Sequence, residues 1–237
     1  MWLTTVLSAF LALSPTRADT GDVRDLPIRE INAIRTPTAA DRGGDVLVVF
    51  ITGDGGWAAI DREVAADLAG HGAGVVGLDS RAYLGRRRTP DEVGRDVTRL
   101  VRHYDALWHP SRIVLAGYSR GADLMPFAAT RLPADLKNKV ALIALLGLAT
   151  RVGFEFHWQD IVRTVHRPGD QPTLPDVERL RGMRMLCVYG AEETSSGCRA
   201  AAPGLMQTIA LPGKHHFDSN YRELGELIWH ALKPISG

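Results

Sequence analysis

Short runs of consecutive apolar, often β-branched residues recur along the chain, each bounded by Gly, Pro or a charged residue: Asp45 to Thr52, Ala73 to Asp79, Arg112 to Gly117, Val140 to Leu146, Met185 to Tyr189 and Gln207 to Leu211. Strands half exposed to water alternate apolar with polar residues. Runs apolar at nearly every position belong to strands covered on both faces, as in parallel sheets. Segments of helical period lie between them. In the clearest, from Pro90 to Leu107, Val93, Val97, Leu100, Val101, Tyr104 and Leu107 share one face. Its start is marked three ways: Thr89 can cap the first turn, Pro90 fits the first helical position and Glu92 completes a capping box. Further helices are predicted from Gly121 to about Leu132 and from Tyr221 to Leu232. Strand followed by helix, repeated, predicts an α/β fold: a mostly parallel sheet with helices on both faces.

The segment between Leu146 and Met185 departs from this rhythm. It carries Phe154, Phe156 and Trp158, then a Pro/Gly-rich stretch from Pro168 to Pro175. It reads as an insertion between core strands, and its place near their carboxyl ends suits a short lid over a substrate; local packing of the aromatics is the alternative reading.

At 237 residues the chain suits one compact domain with a full core. A formal net charge of +1 offers no global field to gather nucleic acid. The local run Arg86-Arg87-Arg88 is a basic loop that allows contact with phosphates or a membrane surface. Residues 1–18 have the form of a signal peptide, with an apolar stretch from Trp2 to Leu13 and small residues Thr16 and Ala18 before a cleavage point. This leaves 19–237 as a single domain exported to the periplasm. In that oxidising compartment the two cysteines, Cys187 and Cys198, are expected to form a disulfide, and no Cys or His spacing suits a metal site.

Gly117-Tyr118-Ser119-Arg120-Gly121 is a G-x-S-x-G pattern placed directly after a strand and before a helix, the setting of a nucleophile elbow in an α/β-hydrolase fold. A serine hydroxyl is a poor nucleophile at neutral pH and needs a base that is itself oriented by an acid. In this fold they follow in the order Ser, acid, His. Gly190-Ala191-Glu192-Glu193 follows a strand and supplies the acid: Glu193 is favoured, with Glu192 as alternate. His215-His216-Phe217 follows the last strand; His216, next to the aromatic residue and nearer the final helix, is the expected base, with His215 as alternate. Gly53-Asp54-Gly55-Gly56-Trp57 occupies the loop that completes the oxyanion hole, so the expected donors are the backbone N–H groups of Arg120 and Asp54, with Gly55 next. A Cys187–Cys198 bridge would span the loop carrying the acid.

Together, Gly53-Asp54-Gly55-Gly56-Trp57, Gly117-Tyr118-Ser119-Arg120-Gly121-Ala122-Asp123, Leu132-Pro133, Cys187-Val188-Tyr189-Gly190 and His215-His216-Phe217-Asp218 resemble the VirJ/AcvB bacterial virulence protein family, from about Asp45 to the end of the chain. The resemblance implies a periplasmic serine esterase needing no cofactor or metal, whose substrate is an aminoacylated lipid, lysyl-phosphatidylglycerol, or another small ester. It also implies a link to secretion-system components. Trp57, Tyr83 and Asp123 are expected to line the substrate cleft. Arg120, directly after the nucleophile, would oppose a lysyl ammonium unless its side chain points away.

Overall fold

The central apolar runs become strands because helices cover them on both faces, whereas the run Gln207–Leu211 forms a largely exposed edge strand. The computed structural model describes residues 21–31, 45–158 and 167–233. The leader read over residues 1–18 lies outside them.

The chain enters through β1 (Ile28–Ile31) and β2 (Val46–Ile51), continues through helix α1 (Ala59–Gly70), strand β3 (Gly74–Leu78) and the short helix α2 (Ser80–Tyr83), and reaches the long helix α3 (Pro90–Trp108). Strand β4 (Arg112–Tyr118) leads into α4 (Arg120–Arg131), followed by α5 (Ala134–Lys137) and β5 (Val140–Leu146). A small hairpin, β6 (Arg151–Val152) and β7 (Gln171–Pro172), precedes α6 (Leu174–Arg179). Strand β8 (Met185–Gly190), α7 (Gly197–Ala200), β9 (Gln207–Leu211) and α8 (Tyr221–Ala231) complete the order.

Seven strands form one sheet in the order β1-β3-β2-β4-β5-β8-β9, parallel throughout except for antiparallel β1. Alternation along β2 shows how both faces are used. Leu47, Val49 and Ile51 join the core under α3 and α4, whereas Val46, Val48 and Phe50 join the core under α1 and α8. All six are fully buried, and burial of such side chains stabilises the fold by about 1.5–3 kcal/mol each.

Helix α3 starts as its sequence predicts: Glu92 N–H donates to Thr89 Oγ1 at 3.2 Å, and Thr89 N–H donates to the Glu92 carboxylate at 2.8 Å. The elements missing from the sequence reading are short or amphipathically weak. They include edge strand β1, the hairpin and α1. The aromatic insertion divides in two. Phe154 is buried edge-on against Phe127 at 5.1 Å, while Phe156 and Trp158 pack together under Arg81, with Trp158 left exposed. Packing therefore accounts for Phe154, and residues 159–166 of the expected lid lie outside the described residues.

Candidate active site

Ser119 stands at the carboxyl end of β4, between the strand and α4, with φ 52° and ψ −118°. A non-glycine residue at positive φ is strained, at a cost of order 1–3 kcal/mol. The flanking glycines show what enforces it. A Cβ on Gly117 would meet the Gly121 carbonyl group at 2.4 Å, and one on Gly121 would lie 1.9 Å from the Ile51 oxygen. The turn closes only because neither has a side chain.

The base comes from the loop after β9. His215 Nε2 lies 2.8 Å from Ser119 Oγ, and His215 Nδ1 lies 2.6 Å from Glu193 Oε1. With Nδ1–H donated to the carboxylate, Nε2 is the acceptor for the serine proton. Glu193 is in turn held through its other oxygen, Oε2, by the N–H of Gly190 at 2.9 Å. Three groups from distant parts of the chain thus form one continuous relay, and the His215 side chain keeps 37% of its surface exposed.

The expected base, His216, is corrected to its neighbour. His216 turns away, with Nδ1 3.1 Å from the Tyr118 hydroxyl. Burial, and next the charge of His215, lowers its pKa and so favours its neutral form. The turn that follows is tight, with Phe217, Asp218 and Ser219 all at positive φ. Glu192 is likewise excluded from the relay: its N–H donates to Gly213 O at 3.0 Å and the residue is exposed.

Gly190, which opens the loop of the acid, and Gly147, which belongs to none of the motifs, make room for this arrangement. A Cβ on Gly147 would sit 2.7 Å from His215 Cε1, and one on Gly190 would sit 2.2 Å from the Lys214 oxygen. Gly190 ends a core strand and Gly147 follows one. The expected disulfide is present: Cys187 in β8 is bonded to Cys198 in α7, bracketing the loop that carries Glu193.

The Gly53–Trp57 loop lies beside the elbow, and a Cβ on Gly53 would meet the Tyr118 ring at 3.0 Å. Arg120 does point away from the nucleophile. Its Nε and Nη2 donate to the two Asp54 carboxylate oxygens at 2.9 and 3.1 Å, and Nη1 donates to Gly153 O at 3.1 Å. Elbow, loop and hairpin are joined through this one guanidinium, and Asp54's carboxylate is already engaged.

The three expected cleft residues are structural instead. Trp57 is largely buried and its ring fills the space over Gly77, where a Cβ would lie 2.0 Å from Cζ2. Tyr83 is buried and donates its hydroxyl to Asp96 at 2.8 Å. Asp123 is buried beneath the elbow, accepting the Ala149 N–H at 2.7 Å. Burial pushes its carboxyl up to about 7, against the pull of that N–H and of the Arg120 and His215 charges. Rings as large as those of Trp57 and Tyr83 are core material here.

Among the described residues, Asp67, His71 and Glu226 bring metal-ligating atoms within 4.8 Å of one another. They pair among themselves and with Arg222 on α1 and α8, and share no residue with the relay.

Residues 45–235 match the family model described as bacterial virulence protein (VirJ). Carboxylesterase Culp1 of Mycobacterium bovis is 28% identical over 116 residues, covering 46% of this chain and 53% of the relative; the Mycobacterium tuberculosis protein of that name matches equally. The chain spans about half the length of these curated relatives. Among solved structures, Est1E from Butyrivibrio proteoclasticus superposes with a TM-score of 0.59 at 13% identity, covering 90% of this chain and 97% of that one. XC6422 from Xanthomonas campestris, described as an a/b serine hydrolase without lid, gives 0.55 at 12% identity, covering 86% and 87%. The fold is that of the α/β-hydrolases.

Proposed function

The chain belongs to the bacterial virulence protein (VirJ) family, and we propose that it is a serine hydrolase of carboxylic esters acting on an aminoacyl lipid, with lysyl-phosphatidylglycerol as the leading substrate. The observation that carries this reading is the unbroken relay from Ser119 Oγ through His215 to Glu193.

In the proposed reaction Ser119 Oγ bonds to the ester carbonyl carbon as its proton passes to His215 Nε2. Glu193 stabilises the resulting imidazolium through Nδ1–H. The carbonyl electrons move to the oxygen, which the backbone N–H groups of Arg120 and Asp54, with Gly55 next, are proposed to receive; one such donor is worth about 3–4 kcal/mol. Collapse breaks the ester C–O bond, and His215 Nε2 returns its proton to the leaving oxygen. Water, deprotonated by the same nitrogen, then attacks the acyl-enzyme. The products are a free amino acid and the lipid alcohol.

A cavity of about 250 Å³, which no relay residue lines but whose wall carries several basic side chains, is the proposed seat of the substrate phosphate. It opens beside Gly153, whose carbonyl Arg120 holds, and Arg87, Arg88, Arg167 and His157 contribute to its wall together with Glu155 and Asp170. A lysyl ammonium would meet Arg120 already neutralised by Asp54, which removes the repulsion expected from sequence. Export to the periplasm, contact with the membrane surface and partnership with secretion-system components are parts of the same reading. No helix among the described residues is long and apolar enough to cross a membrane.

The test is release of lysine from lysyl-phosphatidylglycerol vesicles by the protein and by Ser119→Ala. The reading requires release by the first and background by the second. Equal release by both removes the catalytic assignment. Hydrolysis of short acyl esters without lysine release keeps the esterase and removes the lipid substrate.

A further inference from the structure

Two buried polar side chains beside the relay have no part in the reaction as written: Asp61, in the first turn of α1, and Ser80, which opens α2. Neither is accessible to solvent. Both spend their hydrogen bonds on the Gly53–Ala58 loop. Asp61 Oδ1 accepts the Gly53 N–H at 3.1 Å and Oδ2 accepts the Ala58 N–H at 3.1 Å, so one carboxylate ties the two ends of the loop together. Ser80 Oγ donates to the Gly53 carbonyl at 2.7 Å, and the Gly56 N–H donates to the same oxygen at 2.9 Å. Ser80 is itself fixed, its N–H donating to Thr52 Oγ1 at 2.9 Å.

The geometry of a peptide bond turns these contacts into a constraint on the site. The Gly53 carbonyl and the Asp54 N–H belong to one planar trans unit and point in opposite directions. Fixing the carbonyl therefore fixes the line of the N–H. We infer that Asp61 and Ser80 are positioning residues that hold the Gly53–Asp54 peptide so that the Asp54 N–H faces the oxyanion formed at Ser119. The inference rests on the esterase reading for its catalytic consequence, but the clamp itself does not.

A buried carboxylate is a costly way to close a surface loop unless the loop must keep one shape. Burial pushes the Asp61 carboxyl up to about 7 although two N–H donors pull it down. Preorganised donors cost no rearrangement as the oxyanion forms, and they must stand about 2.7–3.1 Å from the position that the oxyanion will occupy.

Asp61→Asn and Ser80→Ala test this. Asn offers one oxygen where two N–H groups now converge, and Ala removes the shorter of the two side-chain hydrogen bonds to Gly53 O, 2.7 Å from Ser80 Oγ against 3.3 Å from Thr52 Oγ1. Two readouts are taken on folded protein, with circular dichroism as the check. The first is amide hydrogen exchange of the peptide covering Gly53–Ala58, with Val46–Ile51 as internal reference. The second is hydrolysis of p-nitrophenyl acetate against a Ser119→Ala blank. The clamp predicts exchange at least about tenfold faster in the loop of each variant with the strand unchanged. It also predicts kcat lowered about 10- to 100-fold with KM within about threefold, the pattern of an interaction made only in the transition state. Unchanged loop exchange in both variants overturns the clamp whatever the activity. Faster exchange with unchanged kcat overturns the positioning role. Activity of the unmodified protein no greater than the Ser119→Ala blank overturns the esterase reading and the positioning role with it, while loop exchange still decides the clamp. Should Asp61→Asn fail to fold, Ser80→Ala carries both readouts.

Discussion

The imidazole of His215 and the hydroxyl of Ser119 are 96 positions apart in the chain and 2.8 Å apart in space. Nothing else in the molecule bears so directly on what it does. The adjacent His216 is directed to Tyr118, so the two histidines make opposite predictions. His215→Ala should lower kcat/KM for an activated ester by about 10³-fold or more, as loss of a triad base does. His216→Ala should stay within about tenfold of the unmodified protein. Steady-state hydrolysis of p-nitrophenyl acetate reads both, and the reverse ranking would refute the assignment.

Closing a short loop restricts the unfolded chain, and the Cys187–Cys198 bridge closes one of sequence separation 11. Replacing both cysteines with serine should lower stability by roughly 2–4 kcal/mol. The bridge also brackets Glu193, so activity should fall by more than the unfolded fraction accounts for. Urea denaturation monitored with activity in the same samples checks both statements; an unchanged midpoint would show that the bridge contributes nothing.

Asp123 makes a prediction in pH. Its folded-state pKa, near 7, is above the unfolded value of 3.8, so between these limits the native state holds a proton that the unfolded chain has lost. Stability from this group is therefore greatest below about pH 4, declines as pH rises to about 7 and is level beyond. Asp123→Asn keeps an oxygen for the Ala149 N–H and removes the titration. Denaturation midpoints at pH 5 and pH 7.5 should show the variant gaining on the unmodified protein with rising pH. A constant difference would mean that Asp123 is ionised throughout. Comparing the two proteins cancels His216, whose lowered pKa makes its contribution run the other way.

If the cavity beside Gly153 takes a phosphate, Arg87, exposed at its wall, should matter to the lipid and not to a small neutral ester. Arg87→Ala is expected to raise KM for lysyl-phosphatidylglycerol several-fold, more so at low ionic strength, and to leave p-nitrophenyl acetate unaffected. Equal effects on the two substrates would place the headgroup elsewhere.

The sheet was legible because every central strand is apolar on both faces, a pattern that short β-branched runs cannot hide. Helix α3 was legible to its first residue, since Thr89, Pro90 and Glu92 each answer a need of a helix start. The elbow was equally plain, because Gly117 and Gly121 are demanded by contacts of about 2 Å that no side chain survives. What escaped was orientation. His215 and His216 are chemically the same, and only their contacts in the fold, one with Ser119 and the other with Tyr118, tell them apart. Trp57 and Tyr83 carry no mark in the sequence of the direction they take, and both are buried in the core. Gly147 and Gly190 look like ordinary strand-end glycines until the ring and the carbonyl they accommodate are in place.

Catalysis here requires that His215 activate Ser119, and covalent labelling tests that activation with no assumption about substrate. A fluorophosphonate probe, followed by peptide mass spectrometry, should find a single adduct on Ser119 in the unmodified protein and in His216→Ala. It should find none at equal exposure in His215→Ala. An unlabelled Ser119 in the folded, unmodified protein, or labelling that survives loss of His215, would contradict it.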